Sequence, residues 1–288
     1  MQHFFWNEGG KAGRIALLFA LAIPGCHDAH APAMLTAGCR SLGLCESPRP
    51  AGTTIDLAFD TSLGSSCTPE TAHASLSQVL RVLADRPDGV VRVWTQGSEL
   101  SDTALLATVE NTAPVRSGTR ALRAHRERFL REAEARLDRE VAPLFQTPRR
   151  RRSPIVETLS RIAMTPSPRG MKRVIVLVTD GREVSGFGDF ECDLVPTPRR
   201  FLPLLRRRGT LAPGSLANTS VVFTYVTLGP VVGRTCPVTI ARATAIENLW
   251  RVALTEAGAE SVRFERGLVP TDALTPATPA VQLALGAR

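Results

Sequence analysis

Residues Arg173 to Glu183 read RVIVLVTDGRE, and this stretch decides the fold. Val174, Ile175, Val176, Leu177 and Val178 form an unbroken apolar run, mostly β-branched, behind the cations Lys172 and Arg173. A short run without polar alternation fits a strand covered on both faces, as in the middle of a parallel sheet. Thr179, Asp180 and Gly181 follow as a turn signal. Asp180 therefore stands just past the strand's carboxyl end, the edge at which open α/β sheets bind ligands.

Outward from this strand, apolar runs alternate with helical patterns. Residues 54–59 (TIDLAF) read as a strand, with Asp56 an odd charge inside it, and 90–95 (VVRVWT) and 220–227 (SVVFTYVT) as two more. Residues 105–109 and 261–264 are weaker candidates. Thr68 and Pro69 make an N-cap and first helical position, and Ala72, Leu76, Val79, Leu80 and Leu83 trace the apolar face of the helix that follows. Residues 120–145 read as one long helix with Leu122, Phe129, Leu130, Ala133, Leu137, Val141 and Leu144 on its stripe and i,i+4 ion pairs on its other face. Helices are also expected at 155–164, 199–208 and 239–257, and 185–198 reads as a long loop. Strands alternating with helices imply an α/β, Rossmann-like, doubly wound and mostly parallel sheet with helices on both faces.

The chain has 288 residues, 43% hydrophobic and 22% charged, enough for one full core plus tails. The amino terminus reads as an export signal over 1–25. Lys11 and Arg14 precede a short apolar run, Ile15 to Ile23, too short to span a bilayer. Ile23-Pro24-Gly25-Cys26 resembles the lipobox of bacterial lipoproteins, with Pro24 departing from the usual small residue; the resemblance implies that Cys26 carries lipid. Ordinary export, with Cys26 left as a thiol or disulfide partner, is the alternative. Residues 26–52 read as a tether, 53–266 as the domain and 267–288 as a flexible tail. The expected location is a bacterial cell envelope, at the membrane through the lipid or in the periplasm, with secretion as the alternative.

Export permits disulfides among Cys26, Cys39, Cys45, Cys67, Cys192 and Cys236. Cys39 with Cys45 would close a small loop, Cys192 with Cys236 would tie two loops at one sheet edge, and Cys67 could compete for either. Net charge is +8, much of it in Arg149, Arg150, Arg151 and Arg152 and in later arginine clusters. Such clusters meet anionic partners or form a solvated basic surface. No aromatic residues interleave with them to stack bases, which argues against nucleic acid.

Three loops should gather at the carboxyl edge, carrying Asp60 with Ser62, then Ser153, then Asp180. Two hydroxyls and two carboxylates suit Mg²⁺ or another hard divalent cation, which takes oxygen ligands in an octahedron and keeps several waters. The constellation resembles a von Willebrand factor A domain. VIVLVTDG at 174–181 is similar to that family's central strand and terminal Asp, SPIVETL at 153–159 to its metal-binding loop with Ser153 in the place of a Thr, and DTSLG at 60–64 to its D-x-S-x-S element. The resemblance implies that Ser62 and Ser153 coordinate the ion directly and Asp60 and Asp180 largely through water. A protein partner's acidic residue would complete the shell. Gly64 departs from the pattern where a second Ser is expected, and Ser65 or Ser66 could stand in. Read without the family, Ser153 and Ser62 are candidate helix caps and Asp180-Gly181 an ordinary turn.

Enzyme motifs are not found. There is no phosphate loop, no G-x-S-x-G elbow, and the histidines inside the domain, His73 and His125, fall on helices. Arg182 and Glu183 read as a surface ion pair. The expectation is a binding domain and not an enzyme; the alternatives are the same fold with a non-functional metal site binding acidic partners through the arginine clusters and, less favoured, an enzyme with an unrecognised site.

Overall fold

The computed structural model describes residues 52–63, 65–86, 88–97, 103–112, 118–146, 151–168, 170–225, 236 and 239–274. The expected signal, tether, lipid-bearing Cys26 and Cys39–Cys45 pair lie outside these residues, as do Gly64, Arg149 and Arg150.

In chain order the elements are β1 (Thr53–Asp60), α1 (Pro69–Ala84), β2 (Gly89–Gln96), β3 (Leu105–Asn111), α2 (Thr119–Val141), α3 (Ile155–Met164), β4 (Lys172–Val178), β5 (Val184–Ser185), β6 (Gly188–Asp189), α4 (Pro198–Arg208), β7 (Thr219–Thr224), α5 (Ile240–Glu256) and β8 (Ser261–Phe264). Six strands form one sheet in the order β3-β2-β1-β4-β7-β8. Every pairing is parallel except β2 with β3. The 173–183 stretch behaves as its composition dictates: β4 lies between β1 and β7, and Val174 to Val178 are fully buried. β1 runs beside it in register, Leu57 against Val176 and Phe59 against Val178.

The two-residue period of the strands divides the core into two layers. Ile55, Leu57, Phe59, Val174, Val176 and Val178 pack against α1 and α2. Ala58, Trp94, Ile175, Leu177, Val221 and Phe223 pack against α3, α4 and α5. The sheet is therefore doubly wound, with helices on both faces.

Local differences from the sequence reading have local causes. α2 ends at Val141 and the chain tightens into a 3₁₀ turn, Ala142–Phe145. Pro143 brings no N–H to continue the α ladder. β7 ends at Thr224 because Tyr225 takes a left-handed backbone, φ 61°. The loop read over 185–198 begins as a small hairpin, β5 with β6.

The expected tail at 267 starts too early. Val269, Ala273 and Leu274 are buried in the α1–α2 layer, and Arg86 Nη1 donates to the Leu274 carbonyl. Three apolar residues spaced among Pro, Thr and Asp carry no period, so the sequence hid a segment that the core needs.

In the middle of β1, the partners of Asp56 account for its odd placement. Its carboxylate accepts from Arg92 Nε at 2.7 Å, Arg92 Nη2 at 2.9 Å, Arg173 Nε at 2.7 Å and Trp94 Nε1 at 2.8 Å. Arg173 also reaches the Ile162 carbonyl in the last turn of α3, and Arg92 reaches that of Pro166. The two guanidiniums close the carboxyl end of α3, where positive charge is favoured.

Candidate functional site

Strand order reverses between β1 and β4. The chain leaves β1 through α1 toward β2 on one side and leaves β4 through α4 toward β7 on the other. Connections diverge at such a switch point and leave a crevice at the carboxyl ends. Asp60 is the last residue of β1, and Thr179 and Asp180 follow directly on β4. The turn at Asp180 needs Gly181, whose φ of 79° is left-handed.

Asp60 is fully buried, and its carboxylate collects donors from distant parts of the chain. Oδ1 accepts from the Ser62 N–H at 2.9 Å. Oδ2 accepts from the Ser153 hydroxyl at 2.9 Å and from the Thr179 hydroxyl at 2.7 Å. Ser153 in turn accepts from Gln96 Nε2 at 2.9 Å. Ser62 is 5% exposed, and among the described residues its Oγ has no hydrogen-bond partner. Asp180 Oδ1 accepts from the Arg182 N–H at 3.1 Å, and its Oδ2 lies 3.6 Å from Arg182 Nε.

Asp60, Ser62 and Ser153 are thus joined by hydrogen bonds, and Asp180 stands beside them at the end of β4. The alternative roles for the two serines are not what the structure holds. α1 is capped by Thr68, whose Oγ1 accepts from Thr71 N–H, so Ser62 caps no helix. α3 has Pro154 at its cap with no side-chain bond, and the Ser153 hydroxyl goes to Asp60 instead. Ser65 Oγ accepts from the Cys67 N–H, and Ser66 donates to the Tyr225 carbonyl. Each of the two serines after Gly64 thus holds a main-chain partner.

Glu183 takes the position at α3 that a capping serine would hold. Its Oε2 accepts from the Val156 N–H at 2.9 Å. Main-chain bonds in both directions between Ser153 and Val184 fix this crossing. Burial pushes the Glu183 carboxyl well above the usual range, and the nearby Glu157 carboxylate pushes it further. Glu157 is itself raised by burial.

Arg182 and Glu183 are therefore not a surface ion pair: they are 1% and 0% exposed and turn to different partners. Sequence reasoning also passed over Gln96 and Thr179. Gln96 pairs with Asp60 in the β1–β2 register, so its place follows once that register is known. Thr179 was visible only as part of a turn.

Cys192 and Cys236 form the expected disulfide. Arg242, in the first turn of α5, donates to the carbonyls of Glu191 and Cys192 and holds the same loop. Cys67 is buried in the core. Of the arginine cluster, Arg151 and Arg152 are described and exposed, next to Ser153. Among the described residues no helix is long and apolar enough to cross a membrane. Nor do three or more His, Cys, Asp or Glu side chains gather as a metal-ligand group. The oxygen donors at the crevice are two carboxylates and three hydroxyls.

No family model matches the chain, and no curated protein matches it. Among solved structures it is similar to an aerotolerance-related membrane protein from Bacteroides fragilis NCTC 9343 carrying multiple mutations to serines. The two share 12% identity and a TM-score of 0.36 over 77% of this chain and 94% of that one. A likeness at that level carries no functional inference, and the fold stands on the sheet order itself.

Proposed function

We propose that this chain is an exported, lipid-anchored binding domain of the von Willebrand factor A type. Its carboxyl rim seats a divalent cation, Mg²⁺ or a similar hard ion, and a protein partner's carboxylate completes the shell. The observation that carries the reading is the convergence on Asp60: hydroxyls 93 and 119 residues away in sequence donate to one buried carboxylate oxygen. A hydroxyl that gives its proton to a carboxylate keeps lone pairs for a hard cation. The donor set fits such an ion, because Ser62 Oγ is buried beside Asp60 with no hydrogen-bond partner among the described residues, and the hydroxyl oxygens of Ser153 and Thr179 lie at the same Asp60 carboxylate. Ser62 and Ser153 would hold the ion directly, and Asp60 and Asp180 through water. The ion would supply a positive centre able to take a carboxylate from outside. In this reading the rim binds and does not catalyse.

Calorimetric titration of the purified domain with Mg²⁺ or Mn²⁺ tests the site, and affinity capture from the native envelope with and without chelator tests the partner. Saturable ion binding that is lost in Ser62→Ala, with capture abolished by chelator, is the expected result. No ion binding together with unaltered capture in chelator overturns it.

A second reading keeps the fold and dispenses with the ion. The buried Arg182 guanidinium against Asp180 favours it, since it already places positive charge at the crevice. The partner would then be an acidic protein or polymer held by Arg149 to Arg152 and the later arginines. Capture that falls with salt but ignores chelator distinguishes this case, and charge reversal across Arg149 to Arg152 should abolish it.

A further inference from the structure

We propose that Arg182 is a built-in rival to the divalent cation at the crevice, holding the site at low ion affinity until a negatively charged ligand arrives. The inference rests on the cation reading above and concerns how that same site is regulated.

Asp60, Asp180 and Arg182 are all nine-tenths or more buried. The Arg182 main chain donates to one oxygen of Asp180, and its guanidinium lies 3.6 Å from the other. At that separation the contact is an ion pair longer than a hydrogen bond, so it acts through charge more than through directed bonding. A guanidinium does not deprotonate in a protein, so no change of pH within the stable range removes its charge.

Among the described residues, the three groups Asp60, Asp180 and Arg182 together carry a single formal negative charge. A divalent ion entering the crevice would overshoot to a net positive charge, buried and beside a fixed cation. One further carboxylate, brought by a partner, would restore neutrality. Buried charge is tolerated only when compensated. The site is therefore balanced when ion and acidic ligand are both present, and strained when the ion sits alone. Arg182 couples the two binding events in this way.

The position is specific. Gly181 fixes the turn with its left-handed backbone, and its carbonyl accepts from Trp250 Nε1 at 2.7 Å, so the residue that follows is directed inward instead of toward water. Glu183, the next carboxyl along the chain, is turned away to the N–H of Val156.

The test is Mn²⁺ binding by calorimetry, and melting temperature with and without Mn²⁺, for the unaltered domain, Arg182→Met, Arg182→Gln and Arg182→Lys. Removing a charge a few ångströms from the ion should tighten Mn²⁺ binding by roughly tenfold or more at the effective dielectric of such sites. Met and Gln variants should bind at least that much tighter than the unaltered domain and should melt lower in chelator but recover with Mn²⁺. The Lys variant keeps the charge and should behave as the unaltered domain does. Gln retains donors for Asp180 and serves if Met does not fold. Equal affinity in the unaltered domain and both uncharged variants overturns the role of Arg182 while leaving the ion site standing. No Mn²⁺ binding by any folded version removes the ion site, and the rivalry with it.

Discussion

Glu183 shows how much one side chain's setting can depend on its neighbours. Its carboxyl is buried, receives one main-chain N–H from α3 and faces the charge of Glu157, so it holds its proton to higher pH than an exposed glutamate would. A raised folded-state value means that the folded protein binds the proton more tightly than the unfolded chain does. Its contribution to stability is then complete below the ordinary carboxylate value, about 4.3, and is lost as pH rises through the raised one. Glu183→Gln keeps an acceptor for Val156 and cannot ionise. We expect the variant's melting temperature to gain on that of the unaltered protein as pH rises from about 4 to 8, with Glu157 supplying the remaining slope. Parallel thermal melts across that range check this, and parallel curves would refute it. Neither Glu183 nor Arg182 was legible in the sequence. A pair of opposite charges after a turn usually meets water, and here it is buried only because Val184 bridges to Ser153, a pairing across some thirty residues that no local pattern announces.

Among the elements, β1, β2 and β4 are joined by side chains as well as by their ladders. The Asp56 carboxylate holds Arg92 and Arg173, which in turn hold the end of α3 and the residues after it. Removing one partner of a buried ion pair leaves the other uncompensated, at a cost of about 3–5 kcal/mol. Asp56→Asn should lower the stability measured by urea unfolding by an amount in that range, while the rim at the carboxyl ends of the strands keeps any Mn²⁺ affinity it has. At that rim the Cys192–Cys236 bond spans 44 residues of chain. Closing a loop of that length constrains the unfolded state by up to about 4 kcal/mol on the chain-entropy model. Cys236→Ser should therefore melt lower than the unaltered protein, and identical melts under oxidising conditions would contradict it. The pairing was legible from where the two cysteines fall between strands. The role of Asp56 was not: the sequence shows a charge in an apolar run, and only the strand register brings Arg92 and Arg173 to its two sides.

For the molecule as a whole, the domain is larger than composition suggests. Val269 and Leu274 lie in the α1–α2 layer at 1% and 0% exposure. Each buried aliphatic side chain of this size is worth about 1.5–3 kcal/mol. Truncation after Arg266 should cost roughly 3–6 kcal/mol in denaturant unfolding, and a truncated chain of unchanged stability would show that the segment is dispensable. The doubly wound architecture was legible because buried parallel strands write themselves as continuous apolar runs, and Asp60 and Asp180 were placed by the rule that such strands finish at one edge. What the sequence withheld is the set of residues whose role depends on pairing across the sheet, Gln96 and Thr179 among them, and the tail whose burial follows no period. Trp250 donates to the carbonyl of the very turn that carries Asp180, while Trp94 donates to Asp56 in the middle of β1. The two indoles thus report on different bonds, one at the turn and one inside the sheet. With Trp94 replaced by Phe and the chain's third indole, Trp6, likewise removed, the emission of Trp250 becomes an optical gauge for whatever the crevice takes up.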